Sequence, residues 1–201
     1  MNDRKKLPIG LIFDFNGVIS NPKYQILLTD AINNNFHIII WSSKKFKNLI
    51  KDLKIILLKL VGDKWKETVY ILDQSYCTNT GIPDIEGNKF KPWFLKPIQK
   101  VRDYLKEKSI IINQLVFIDD SIQKLCRNPE HTSIIINKDT SVDDLLLVIK
   151  DISIKKNSEE CLQLLQKKNS HLVPSVGELL KYDTQLKKSI LKNKTNIKNT
   201  D

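Results

Sequence analysis

Residues 11–19 read LIFDFNGVI, and the order of residue types in that stretch decides the architecture. A short apolar run that ends on an acid suits a buried parallel strand. Gly17, three residues after Asp14, permits the chain to turn sharply away. The stretch predicts a strand over 10–15 with Asp14 and Asn16 delivered at its carboxyl end.

Four further apolar runs of strand length occur at 36–41, 69–72, 115–118 and 133–136. Helix-length segments separate them at about 22–34, 43–61, 96–108 and 141–152. In the second of these, Leu49, Leu53, Ile56, Leu57 and Leu60 recur at helical spacing. Strand and helix alternate, so the expected fold is α/β: a doubly wound, Rossmann-like parallel sheet with helices on both faces. The isoleucine-rich look carries no weight in that reading. Ala31 is the only alanine among 201 residues, which marks a compositional bias more than a structural demand.

Residues 73–95 break the alternation with Gly81, Pro83, Gly87, Pro92 and scattered aromatics, and read as an irregular insertion. From Ile154 the chain becomes polar, with a helix expected at 158–168 and another opening at Ser175, where Ser175 and Glu178 match a capping box. Residues 193–201 are expected to fray. The expected division is a domain over 7–153 and a basic, partly helical extension over 154–201.

The length suits one α/β domain with a short appendage, and the 41% apolar and 28% charged content suits a globular chain. Lys and Arg (33) exceed Asp and Glu (23), giving +10, and residues 154–201 hold ten Lys against five acids. A basic tail favours acidic partners, so nucleic acid enters as a weakly supported partner on charge alone, without interleaved aromatics or a zinc or helix-turn-helix pattern. Three cysteines without paired spacing and no secretory apolar segment point to an intracellular, thiol-reduced protein, in the nucleus or cytoplasm. The most apolar stretch, 53–61, is broken by Lys54 and Lys59 and falls short of the roughly 20 residues a membrane span needs. The oligomeric state leaves no trace in the sequence.

Ligands of a doubly wound sheet bind beyond the carboxyl ends of its strands. There the chain places Asp14 and Asn16, then Ser42 and Ser43 after HIIIW, Lys96 in FLKP, and the adjacent acids Asp119 and Asp120 after LVFI. Two acidic strand ends, a hydroxyl and an ammonium describe a phosphate and Mg²⁺ site. Mg²⁺ takes oxygen ligands in octahedral geometry, which Asp14, a backbone carbonyl and the Asp119/Asp120 pair can offer. Lys96 would neutralise phosphate charge, Ser42 and nearby N–H groups would bond its oxygens, and Asp14 would attack phosphorus to give an aspartyl-phosphate. Ser42 could equally be the N-cap of the helix expected from Ser43.

These four pieces in this order resemble the haloacid dehalogenase superfamily, and within it the FCP-homology branch of NLI-interacting-factor-like, carboxyl-terminal-domain phosphatases. IIIWSS resembles that branch's second motif. CTNTG, NKFKPWFLKPIQKV, VFIDDS, NPEHTSIII and DDLLLVIKDI are similar to plant and protist FCP-like proteins, over residues 9–153 in all. The resemblance implies a Mg²⁺-dependent phosphatase acting on phosphoserine or phosphothreonine in a phosphoprotein or peptide. Asp14 would be the nucleophile. Ser42, Ser43 and Lys96 would hold phosphate. Asp14, the backbone carbonyl of Asn16, Asp119 and Asp120 would serve the metal, with Asp120 favoured over Asp119 for direct contact.

Where the family carries a second acid as proton donor and water activator, this chain has Asn16. An amide cannot relay a proton at neutral pH, and such help is typically worth about 10²–10⁴-fold in rate. A slow phosphatase, a phosphotransferase that keeps its aspartyl-phosphate, and a non-catalytic domain that binds a protein or phosphopeptide all stay open. Only a helix fits between Asp14 and Ser42, so no large cap domain is expected there and the cleft should be open. Tyr76, Trp93 and Phe94 are candidates to line it or to pack on the sheet.

Overall fold

The computed structural model describes residues 7–83 and 91–198, with side chains described as far as residue 192. The elements in chain order are β1 (Ile9–Asp14), α1 (Gln25–Asn33), β2 (His37–Trp41), α2 (Phe46–Val61), α3 (Trp65–Thr68), β3 (Val69–Leu72) and β4 (Thr78–Pro83). There follow β5 (Pro92–Leu95), α4 (Ile98–Glu107), β6 (Gln114–Asp119), α5 (Ile122–Leu125), β7 (Ser133–Ile135), α6 (Val142–Lys155), α7 (Ser158–Lys168) and α8 (Val176–Lys198).

Five strands form one parallel sheet in the order β3-β2-β1-β6-β7. This is the doubly wound α/β architecture expected from the alternation, with no large cap among the described residues. The strands are buried on both faces, and their side chains alternate between two cores as the period of two requires. Leu11, Phe13, Ile38, Ile40, Val116 and Ile118 face α1, α2, α6 and α7. Ile12, Ile39, Trp41, Leu115 and Phe117 face α4. From β1 the chain steps outward through β2 to β3, then crosses back to β6 on the other flank of β1. The carboxyl ends of β1 and β6 therefore border the switch point, where such sheets bind ligands.

The insertion is more ordered than its composition indicates. Residues 78–83 and 92–95 pair as an antiparallel ribbon, with Thr78 opposite Leu95 and Asn79 opposite Phe94. Residue Gly87 lies outside the described residues. A third small core forms where Ile82, Trp93 and Leu95 of this ribbon meet Cys126 and Leu186. The ribbon is legible only with that packing, because two short strands without polar alternation carry no periodic signal.

The 153/154 boundary falls inside α6, and residues beyond it share the main core. Leu162, Leu165, Leu172 and Val173 pack with the sheet cluster, and Ile135 N–H donates to Leu172 O at 2.7 Å. The capping box forms: Glu178 N–H donates to Ser175 Oγ (3.3 Å), and Glu178 Oε2 accepts from Ser175 N–H (2.8 Å). α8 continues to Lys198, across part of the stretch expected to fray, and residues 199–201 lie outside the described residues. No helix among the described residues is long and apolar enough to cross a membrane.

Candidate functional site

Asp14 is the last residue of β1, paired with Trp41 of β2, and Phe13 before it is paired on both sides, which fixes where the Asp14 carboxylate points. Immediately after it the chain turns at Gly17, whose φ is +79°. A Cβ there would come within 2.0 Å of Asp120 Oδ2, so the glycine serves both the turn and the close approach of an acid. Asp119 ends β6, the strand beside β1, and Asp120 follows on the loop into α5.

Lys96 links the two strand ends. Its side chain is 1% exposed and lies among the bulkiest fully buried residues. Its ammonium donates to Asp14 Oδ1, to Asp119 Oδ2 at 2.6 Å and to Trp41 O at 3.4 Å. The backbone around it is held too: Lys96 N–H donates to Lys124 O (2.8 Å), and Asn128 Nδ2 donates to Lys96 O (2.9 Å). Asn128 Oδ1 also accepts from Ile98 N–H, so one amide pins both sides of Pro97 at the start of α4.

Lys124, on α5, is the residue that sequence reasoning missed. Its ammonium stands 3.5 Å from Asp119 Oδ1, 3.5 Å from Asp120 Oδ1 and 3.7 Å from Asp14 Oδ2. The available signal was its position four residues after Asp120 on a helical turn.

The charges explain each other's titration. Burial pushes the Asp14 carboxyl above the usual carboxylate range against the pull of Lys96. Burial acts the same way on Asp119, but Lys124 and Lys96 outweigh it and hold that carboxyl below the usual range. Asp120 is pushed up to about 6 by burial and by the charges of Asp14 and Asp119, against Lys124. Burial would lower both ammoniums, yet the carboxylates raise Lys96 and Lys124. Three carboxylates against two ammoniums leave one net negative charge.

That centre is under-compensated. Asp14 Oδ2 is buried and accepts no hydrogen bond among the described residues. Asp14, Asp119 and Asp120 can each present a carboxylate oxygen with all three within 4.8 Å of one another, a spacing that one hard cation could bridge. Removing charges from water costs several kcal/mol each unless partners offset it, so such a cluster is a poor device for stability alone.

Ser42, after β2, is fully buried. Its Oγ accepts from Lys44 N–H (3.1 Å) and more weakly from Asn16 Nδ2 (3.4 Å). It does not cap a helix. The helix expected from Ser43 begins at Phe46, where Asp73 Oδ2 accepts the Phe46 N–H at 2.8 Å. Ser42 therefore ties the Asn16 amide to the β2 end of the site, and Ser43 lines the cleft above it.

That cleft holds about 550 Å³, and Asn16 and Lys124 in its wall connect it to the buried centre. Trp93 and Phe94 line it, Trp93 with its ring buried and its indole N–H donating to Gln123 O at 3.1 Å. Tyr76 packs edge-on against Tyr104, 5.5 Å between ring centres, in the α4-side core. The geometry brings Asp14, Asn16, Ser42, Lys96, Asp119 and Asp120 to one sheet end. It can hold a cation on one side, neutralise an anion on the other, and offer one uncommitted carboxylate oxygen between them.

No protein-family model and no curated protein matches the chain.

Proposed function

We propose that this protein is a Mg²⁺-dependent, haloacid-dehalogenase-type phosphatase that hydrolyses phosphoserine or phosphothreonine in protein substrates through an aspartyl-phosphate at Asp14. The observation that carries the reading is the buried Asp14 Oδ2, which accepts no hydrogen bond among the described residues and has the Lys124 ammonium at 3.7 Å, beside two further carboxylates and Lys96. The resemblance to the FCP-homology branch supports it on the same residues.

Asp14, Asp119 and Asp120 fit a hard divalent cation, which would neutralise charge on the phosphate's non-bridging oxygens. Lys96 and Lys124 supply the remaining positive charge in a site sheltered from water, where fixed charge acts most strongly. A carboxylate oxygen of Asp14 attacks phosphorus, the new P–O bond forms, and the bond to the serine or threonine oxygen breaks. The departing alkoxide takes a proton from solvent, because Asn16 has none to give. Water then attacks the phospho-aspartate and releases phosphate and free Asp14. Lys96, hydrogen-bonded to Asp14 and Asp119, keeps the nucleophile aligned through both steps.

The missing acid makes turnover slow. Asn16→Asp should raise phosphate-ester hydrolysis by about 10²–10⁴-fold, the usual worth of acid/base help. Asp14→Asn should abolish it. Both are read by phosphate release from phosphopeptides with and without Mg²⁺, and unchanged rates in both variants would sink the enzyme reading. Asn16 also favours a second reading, a domain that binds a phosphoprotein without turning it over. Phosphopeptide binding that is lost in Asp14→Ala, with no release in Asn16→Asp, would select it.

A further inference from the structure

The cleft outside the buried centre is lined by cations that the phosphoryl chemistry does not use. Lys44, Lys45 and Lys91 line it alongside Lys124, with Asp52 the one acid among the described lining residues. Lys44 reaches Asp52 at 3.2 Å and also stands over the Phe15 ring at 4.8 Å. Lys45 and Lys91 are exposed, and neither ammonium has a hydrogen-bond or ion-pair partner among the described residues.

Their placement is electrostatically wrong for an empty surface. Lys45 stands at the N-cap of α2 and makes no side-chain cap; the acid at that end is Asp73, whose Oδ2 accepts the Phe46 N–H at 2.8 Å and whose Oδ1 is taken up by Ser75. The amino end of a sixteen-residue helix is the positive end of its dipole, where acids stabilise and lysines do not. Lys44 before it and Lys91 across the cleft add to the same field. Lys44 is partly offset by Asp52, and an anion in the cleft would give Lys45 and Lys91 a partner as well.

We infer that the cleft selects a phosphopeptide carrying a second anionic group beside its phosphorylated side chain, with Lys45 and Lys91 as specificity-determining residues and Lys44 in support. This rests on the reading that the buried centre takes the phosphate. The second anion is an Asp or Glu carboxylate or another phosphate. A peptide fits better than a nucleic-acid strand, because the described residues of the cleft offer no stacking platform: of the two aromatics described there, Trp93 is buried and Phe94 half-buried. The half-buried Phe94 and Pro92 instead offer apolar contact to a neighbouring peptide side chain.

The test is fluorescence anisotropy of the full chain with labelled peptides of one length. They contain serine or phosphoserine flanked by alanine, by glutamate, or by a second phosphoserine. At low salt the glutamate-flanked phosphopeptide should bind about 5–20-fold tighter than the alanine-flanked one, as two or three partly screened charge pairs imply. The ratio should shrink with added salt. In Lys45→Glu/Lys91→Glu it should fall to about one, with Lys45→Ala and Lys91→Ala each losing part of it and a melting curve confirming that each variant folds. The doubly phosphorylated peptide separates the two anion sources by its rank against the glutamate peptide. A ratio of one in the unaltered protein, a ratio that survives the double substitution, or tighter binding of a single-stranded 5′-phosphorylated RNA of equal charge overturns the proposal. The two readings fail separately. Loss of the phosphoserine-over-serine preference with the glutamate effect intact supports the lysine subsite and removes the phosphate reading, and the converse removes the subsite alone.

Discussion

Two clusters of opposite charge in this molecule look alike on paper and differ in kind. At the sheet end, Asp14, Asp119 and Lys96 are buried to within about 1% of exposure, and their attraction must offset full desolvation. On α8, Arg127 reaches Asp183 at 2.7 Å and Lys187 reaches it at 2.6 Å, but both cations are about half exposed or more. The second cluster helps seat a helix whose main anchor is apolar, Leu186 against Trp93 and Leu95. The first has no apolar substitute for its geometry and leaves one carboxylate oxygen without a donor. Charge kept where it costs stability marks chemistry, and charge kept at a half-wet helix face marks docking.

The contrast is sharpened most by removing the buried cation. Lys96→Met should destabilise the protein by about 3–5 kcal/mol in a denaturant titration, because it strands two buried carboxylates. Asp14→Asn, by comparison, should leave stability unchanged or higher, since burial already disfavours that charge. A Lys96→Met variant as stable as the parent would break the comparison. Next in size is the apolar anchor. Leu186→Ala should cost about 2–4 kcal/mol and expose the α8 face of the ribbon, read as faster amide exchange at β4 and β5.

The smallest effect carries a sign. The Lys187 and Arg127 hydrogen bonds hold the Asp183 carboxyl below the usual carboxylate range. A depressed native value means that the stabilisation is present above the unfolded value, about 3.9, and is lost as pH falls through the native one. Asp183→Asn should therefore cost about 0.5–1 kcal/mol at neutral pH, and the difference from the parent should vanish in acid. Equal melting temperatures at neutral pH would show that α8 docks on apolar contacts alone.

Much of this was legible in the sequence, and the exceptions share a cause. The strands announced themselves because each is a short apolar run ended by a polar residue, and the observed bounds of β3 are those expected at 69–72. Asp14, Asp119 and Asp120 were readable because strand ends of a doubly wound sheet converge. What escaped was set by contacts distant in sequence. Lys96 was placed in the site by the order of the motifs, but its burial between Asp14, 82 residues away, and Asp119 was not foreseen. Asp73 caps α2 from 27 residues beyond Phe46. The ribbon of 78–83 and 92–95 has no pattern of its own and is held by α8. Lys124 was hidden because a four-residue helix is too short to show a period.

The strand order has a consequence for synthesis. β1 lies at the centre of the sheet, yet one of its two edges is covered only by β6, whose pairing begins at Gln114. From the completion of β3 at Leu72 until β6 begins at Gln114, the nascent sheet of β1, β2 and β3 presents Ile9–Asp14 as an open, apolar edge. Such an edge is a template for pairing with other chains. Asp14, the proposed nucleophile, thus sits at the tip of the strand that waits longest for its neighbour, and holdase chaperones should engage this chain before β6 emerges.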